Sequence, residues 1–211
     1  SDTANSTNRC ATNIEINDTS IEFTYNHGGN ISSPRTLVAI GKAELTGISP
    51  RIKTYYPGNT THALAGTTTA LLNGQVEYYA LNTAPGAAYS FKTADVINLK
   101  KVLYKSANTA FADVDMTTAT DVTSYFILET GQRDNTYDYS TAIVKRGASS
   151  VISPTGRLLF IFDWFDHTGQ GYVHLDSYLS AANVLKGFTY EDVPTFKSPR
   201  SNRVINLRNV I

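Results

Sequence analysis

The sequence predicts an all-β fold: a β-sandwich or barrel-like set of antiparallel sheets with long loops, as one domain or two β subdomains. Three observations carry this. Roughly ten short runs rich in β-branched and aromatic residues are separated by Gly, Pro, Asn, Asp and Ser clusters. One run, Leu158–Phe165, is apolar on both faces, as a covered central strand must be. No repeat of the length used by solenoids or propellers interrupts the series.

The strands follow in order. Asn13–Ile16 and Ser20–Tyr25 alternate cleanly around an Asn17-Asp18 turn. A loop through His27-Gly-Gly-Asn30 and Ser32-Ser-Pro34 leads to Thr36–Ile40, and Arg51–Tyr56 is closed by Pro57-Gly-Asn59. The Thr/Ala-rich residues 60–70 suit a loop or a short helix. Gly74–Leu81 and Ala88–Lys92 are strands turned by Ala84-Pro-Gly86. Residues 94–104 are ambiguous. Val96, Leu99 and Leu103 fit a helical face, and Val96, Asn98, Val102 and Tyr104 fit alternation less well; strand neighbours on every side favour a strand. Asp121–Glu129 and Thr141–Lys145 follow, joined by the loop Gly131–Tyr139.

After the turn Pro154-Thr-Gly156, Leu158, Phe160, Phe162 and Trp164 share one face and Leu159, Ile161, Asp163 and Phe165 the other. A glycine turn, His167–Gly171, then predicts a hairpin partner at Tyr172–Leu179. A boundary near residues 93–110 divides the chain into an N-terminal β-rich segment, 1–93, and a β domain, 94–211.

Composition narrows the function. The 211 residues carry zero formal net charge, and only 17% are charged, which argues against a general nucleic-acid binder and against an acidic disordered tail. No apolar run approaches membrane-spanning length, and no secretory leader is visible at the start. The single cysteine, Cys10, sits in a polar segment, cannot form an internal disulfide and lacks the setting of a catalytic thiol. Sequons at Asn5, Asn17, Asn30 and Asn59 are expected by chance in an Asn- and Thr-rich chain. The first residue is not methionine, and the last nine, Arg203–Ile211, still read as an apolar-rich element, so the expectation is a piece of a longer polypeptide.

Two groups of residues invite a chemical reading. Asp163, Asp166, His167, His174 and Asp176 are of the types that hold metals, and Asp163, Asp166 or His174 of the types that serve a hydrolase, but they match no established ligand spacing. Their plainer reading is a strand end and a polar strand face. The loop Gly131–Tyr139 holds Arg133, two aspartates and two tyrosines without a nucleophile and its base; an arginine–carboxylate brace is the expectation. His27-Gly-Gly-Asn30 and Gly169-Gln-Gly171 lack the Lys-Ser/Thr ending of a phosphate loop. Lys197, Arg200, Arg203 and Arg208 suit a solvated tail or a docking strand. The 13 Tyr, 9 Phe and 1 Trp mostly alternate with polar residues, so they read first as core. No catalytic, cofactor-binding or metal residue is assigned.

One ordered series of motifs carries a resemblance. Gly131-Gln-Arg-Asp-Asn-Thr-Tyr-Asp-Tyr-Ser140 is followed by Pro154-Thr-Gly156, Phe162-Asp-Trp-Phe-Asp-His-Thr-Gly-Gln-Gly-Tyr172, Asp176-Ser-Tyr178, Tyr190-Glu-Asp-Val-Pro-Thr-Phe196, Ser198-Pro199 and Asn206–Ile211. Over residues 94–211 the series resembles a domain of large virion structural proteins of T4-like tailed bacteriophages, found in tail, baseplate or fibre components. In that pattern the last segment runs on into Asp-Phe-Arg-Pro, which accords with a domain truncated at its C-terminal end. The resemblance implies a non-enzymatic structural part of a virion, assembled in the host cytoplasm. It would contact other virion proteins or copies of itself, with no cofactor, nucleic acid or membrane. The alternative is a carbohydrate- or receptor-binding β-sandwich module that takes a host surface glycan. It predicts a shallow groove with two or three coplanar exposed aromatics.

Overall fold

A computed structural model describes residues 11–16, 21–25, 51–64, 68–133, 137–169, 171–198 and 202–209. The chain forms two compact units, Ser1–Leu45 and Thr46–Ile211. In the first, β1 (Ala11–Ile16) and β2 (Ile21–Tyr25) pair antiparallel, with the register slipping between Thr12 and Glu15. The expected strand Thr36–Ile40 lies outside the described residues, as do the loop 27–34, Cys10 and the sequons Asn5, Asn17 and Asn30.

The second unit is built around β10 (Arg157–Thr168), the doubly apolar strand. Along one edge it pairs antiparallel with β6 (Val96–Lys105). Along the other it pairs first with β4 (Gln75–Tyr79) and then with β3 (Ile52–Tyr56). The short α1 (Thr68–Leu72) precedes β4, and β7 (Thr120–Asp121) extends the sheet from β6. A second antiparallel sheet runs β5 (Ala88–Ser90), β9 (Thr141–Val144), β8 (Phe126–Glu129). The fold is therefore all-β, in several antiparallel sheets with a few short helices; among the described residues no sheet closes into a barrel.

The face assignment on β10 holds. Leu158, Phe160, Phe162 and Trp164 pack against Tyr89, Phe91, Phe126, Ala142 and Val144, most of them from the second sheet, in one buried cluster. On the opposite face Leu159 and Ile161 meet Leu103, Phe111 and Met116, and Phe165 meets Tyr55, Tyr178, Phe188 and Val193. The ambiguous segment is a strand from Val96 on, and the register shows why its pattern is mixed. Pairing slips twice against β10 and leaves Lys100 and Ile97 unmatched, so the two-residue alternation changes phase.

Two expectations change. Residues 121–129 are not one strand: a 3₁₀ turn at Thr123–Tyr125 separates β7 from β8. Asp121 Oδ1 accepts from both the Thr123 amide (3.0 Å) and its hydroxyl (2.6 Å), and this turn carries the chain from one sheet to the other. The hairpin partner at Tyr172–Leu179 is absent. β3 holds one edge of the end of β10, from Trp164 to Thr168; on the other, β6 pairing stops at Trp164 and the Phe165 amide goes to the Asp95 carbonyl, while the Tyr172 carbonyl accepts the Arg51 amide at 3.1 Å. Instead α3 (Leu175–Tyr178) and α4 (Ala181–Leu185) form, the latter capped by the Ser180 side chain accepting from the Asn183 amide. Within the unit Thr46–Ile211, β3, β4 and β5 share sheets with strands from beyond residue 94.

The helices protect the free edge of β3. Asn183 Oδ1 accepts the Tyr55 amide at 2.8 Å, and its Nδ2 donates to the carbonyls of Lys53 and Tyr178, both at 2.7 Å. Lys186 Nζ donates to the Tyr55 carbonyl at 2.6 Å. A buried carboxamide thus stands in for a neighbouring strand. At the C-terminal end β11 (Phe196–Lys197) and β12 (Val204–Ile205) pair, and a 3₁₀ turn follows at Leu207–Asn209.

Candidate functional site

The site begins with a strand whose outward and inward positions are the reverse of a simple hydrophobic reading. In β3 Ile52 is exposed, while Lys53 and Tyr55 point inward. Lys53 is fully buried, and its Nζ lies 2.6 Å from Asp95 Oδ2. Asp95, just ahead of β6, has a left-handed backbone (φ 56°), an uncommon conformation for a residue with a side chain. Its carbonyl accepts the Phe165 amide at 3.1 Å, which ties it to β10. His167, near the end of β10, places Nε2 2.6 Å from the same Asp95 Oδ2. With Asp95 ionised, Nε2 carries the proton and donates.

Aromatic rings close the cluster. Lys53 Nζ sits 4.7 Å from the Tyr178 ring centroid, 5.2 Å from Tyr137 and 5.6 Å from Phe165. The Tyr137 hydroxyl is 3.4 Å from Nζ, and its ring meets His167 edge-on. Burial lowers the Lys53 ammonium from its ordinary 10.5, although Asp95 opposes the shift. Burial also acts to raise the Asp95 carboxyl, but the His167 hydrogen bond and the Lys53 charge together hold it below its usual value. Desolvation first, and then the Asp95 charge, push Tyr137 up to about 12, and the same causes raise Tyr178.

Beside this cluster opens a cleft of about 400 Å³, lined by Asp95, Glu129, Arg133, Thr195, Phe196 and Lys197 among others. A smaller hollow of about 170 Å³ shares Gln132 and residues 194–196 with it and reaches Tyr137 and Tyr178. Asp95 is thus the polar group of the buried cluster that also borders the cleft, while Lys53 Nζ is sealed from it.

The five residues proposed for a metal or a hydrolase go separate ways. Asp163 is a structural plug. Between the parts of β10 paired with β4 and with β3, the Phe162 amide donates to the Gly74 carbonyl at 2.8 Å, and Asp163 Oδ1 accepts the Gly58 amide at 2.8 Å. Lys100 Nζ lies 2.9 Å from the same oxygen, and Asn98 donates to Oδ2 at 3.2 Å. Gly74 is required there: its φ is +61°, and a Cβ would stand 2.0 Å from the Phe162 carbonyl oxygen. Asp166 is exposed and accepts the His167 amide at 2.9 Å. His174 Nδ1 lies 3.6 Å from the exposed Asp176. Only His167 joins the buried cluster, and among the described residues no group of three or more His, Cys, Asp or Glu could hold a metal ion.

The loop expectation is met in part. Arg133 lies 3.4 Å from both Glu129 and Asp138 carboxylates, all exposed, and Gly131 (φ +71°) accepts the Asp138 amide. Tyr137 packs inward on the Lys53 cluster, whereas Tyr139 is exposed. Of the basic C-terminal residues, Arg208 donates to the Glu191 carbonyl at 3.0 Å, and Lys197 and Arg203 belong to the β11–β12 hairpin region. Lys197 and Arg203 are exposed in this short hairpin, and Arg200 lies outside the described residues. The remaining sequon residue, Asn59, spends its Oδ1 on an Asx turn with Thr61 and His62.

Lys53 and Asp95, the heart of the cluster, were not singled out by sequence reasoning. The one available signal was the lysine at the inward parity of Lys53-Thr-Tyr55. Comparison of the chain with protein-family models, with curated proteins and with solved structures finds no match.

Proposed function

We propose that this chain is a structural component of a tailed-bacteriophage virion, in a tail, baseplate or fibre, and acts through subunit contacts. The observation that carries this reading is where the motif series falls in the fold. Gly131–Ser140 supplies Tyr137, Phe162–Tyr172 supplies Phe165 and His167, Asp176–Tyr178 supplies Tyr178, and Tyr190–Phe196 supplies Val193. Segments far apart in the sequence converge on one buried cluster. Residues used this way encode a packing arrangement, and an assembly part requires only that.

Two further features support it. Lys53 Nζ is enclosed, so no substrate atom has access to the cluster's one amine. Exposed apolar residues, among them Ile127, Val204, Ile205 and Leu185, leave surface for neighbouring subunits.

The glycan-binding alternative needs free aromatic platforms. Tyr79 is covered by the Arg157 guanidinium at 4.1 Å, and Tyr190 donates its hydroxyl to the Arg208 carbonyl. Tyr139 and Tyr172 are more exposed than Tyr79 and Tyr190 and are the rings that alternative would use first.

The test is fractionation of particles. Antibody raised against residues 46–211 should decorate purified virions in negative-stain micrographs, and peptides of the chain should appear in particle digests. Finding the polypeptide only in the particle-free supernatant would overturn the reading. Saturable glycan-array binding that is lost in Tyr139→Ala or Tyr172→Ala would promote the alternative.

A further inference from the structure

We propose that Lys53 and Asp95 are the two ends of a self-forming amide cross-link, with His167 as the proton-transfer group. The geometry has the three parts such a bond requires. A buried amine and a buried carboxyl are held in contact at 2.6 Å. The amine sits in a wall of Tyr137, Phe165 and Tyr178 that keeps water from Nζ, and the Asp95 side chain, at the edge of the cleft, is only 7% exposed. A third polar group, His167 Nε2, touches the very oxygen that must leave. Fixing the reactants in one geometry supplies the effective concentration that an amine and a carboxylic acid lack in water.

The step balances without an oxidant or any added reactant. The Lys53 ammonium passes one proton to the Asp95 carboxylate, which gives a neutral amine and a neutral acid. Low polarity around the pair favours that exchange. Nζ attacks Cγ, and the N–C bond forms. The second proton of Nζ reaches Oδ2 through His167, which gives up its Nε2 proton and is reprotonated by the amine. The Cγ–Oδ2 bond breaks, and Oδ2 departs as water. Two protons leave Nζ, one stays, and His167 ends as it began. In the resting state, Lys53 and His167 keep Asp95 ionised, so the reacting form is the minority one and the bond matures slowly after folding.

The product would tie β3 to the start of β6 by a covalent link, across a cluster that already joins β10, α3 and the 131–140 loop. The inference stands on this cluster alone and is independent of the virion reading.

Intact-mass spectrometry of the purified, folded chain tests it. The expected mass is lower than the sequence sum by one water, and chain kept denatured throughout retains full mass. Trypsin then yields a branched peptide, residues 52–92 joined to residues 93–100, because a modified Lys53 is no longer cleaved. That branch separates the cross-link from an aspartyl succinimide, which loses the same water but leaves the chains unjoined. Asp95→Asn should lose one ammonia instead, by the same attack on a carboxamide. His167→Gln, which preserves a hydrogen-bonding side chain, should fold but keep full mass. A folded wild-type chain at full mass after prolonged incubation, with cleavage after Lys53, would overturn the proposal. So would water loss that survives Lys53→Met.

Discussion

The two faces of β10 are held by opposite means. On one, Phe160 meets the rings of Tyr78, Tyr89, Phe91 and Phe126 at centroid separations of 5.2–6.3 Å, with the Lys92 ammonium only at the margin, 5.6 Å from the Tyr78 centroid. Toward the far end of the other, Phe165 packs on Tyr55, Tyr178 and Phe188 around a buried lysine, aspartate and histidine. The apolar face gains from every contact, since burying a large apolar side chain contributes about 1.5–3 kcal/mol. The polar cluster gains little net stability, because desolvating its charges offsets most of their attraction. What it gains is dependence of each part on the others: the aromatic wall is tolerable only while the charges are paired.

That contrast predicts different responses to truncation. Phe160→Ala removes four ring contacts from a fully buried site and should cost about 3–5 kcal/mol, read as a lower midpoint in urea with an unchanged slope. If Phe160→Ala shifted the midpoint less than Asp95→Ala, the apolar face would not be the dominant one.

Asp95→Ala comes next. It leaves the Lys53 ammonium buried without its partner, a loss of about 3–5 kcal/mol for pairs of this kind, here toward the lower end because burial already eases Lys53 toward its neutral form. The double variant Lys53→Met/Asp95→Leu removes both charges and should recover most of that loss. Its shortfall from the wild type then measures whatever a Lys53–Asp95 amide contributes. A double variant no better than Asp95→Ala alone would mean the cluster is held by packing, not by pairing.

The pH dependence sharpens the same comparison, because the carboxyl lies in the polar cluster, whereas the apolar face contributes only Tyr78 and Tyr89, both raised by burial. The folded Asp95 carboxyl lies below its unfolded value, so its contribution is complete above the ordinary carboxylate range and is lost as pH falls through the folded value. The tyrosines act at the other end. Tyr55 and Tyr137 are raised to about 12, so above the ordinary tyrosine value of 10.0 the unfolded chain loses protons first and stability falls as pH rises. Urea midpoints across the pH range should therefore drop at both ends. Formation of the amide would erase the Asp95 contribution to the acid limb while leaving the alkaline one. An acid limb unchanged in Lys53→Met/Asp95→Leu would assign it to other carboxylates.

The two faces also differ in how far they can be read from residues alone. Leu158, Phe160, Phe162 and Trp164 announce their shared face through alternation, because a central strand needs no information beyond its own residues. Asp163 looked like an interruption and proved to be a local substitute for missing ladder bonds, which only the gap between β4 and β3 explains. Lys53 and Asp95 were opaque for a deeper reason. A buried charge is defined by its partner, and the partners come from β3, the approach to β6 and the end of β10. Tyr172–Leu179 misled for the complementary reason: its residues alternate acceptably, but their backbone groups are taken elsewhere, the Tyr172 carbonyl by the Arg51 amide and the His174 amide by the Ser177 hydroxyl at the start of α3.

The smallest expected effect lies on the loop that joins the cluster to the cleft. Arg133 meets Glu129 and Asp138 at 3.4 Å in the open, and Arg133→Ala should change stability by no more than about 0.5 kcal/mol. The loop is anchored from within: Tyr137 packs on Lys53 and His167, and the Ser140 hydroxyl donates to the Thr130 carbonyl at 2.7 Å. Tyr137→Ala in the same loop should therefore cost several times more than Arg133→Ala, even though Arg133 is the more conspicuous residue in the sequence. Equal losses from the two would mean that exposed charge pairs, not the buried ring, fix the loop.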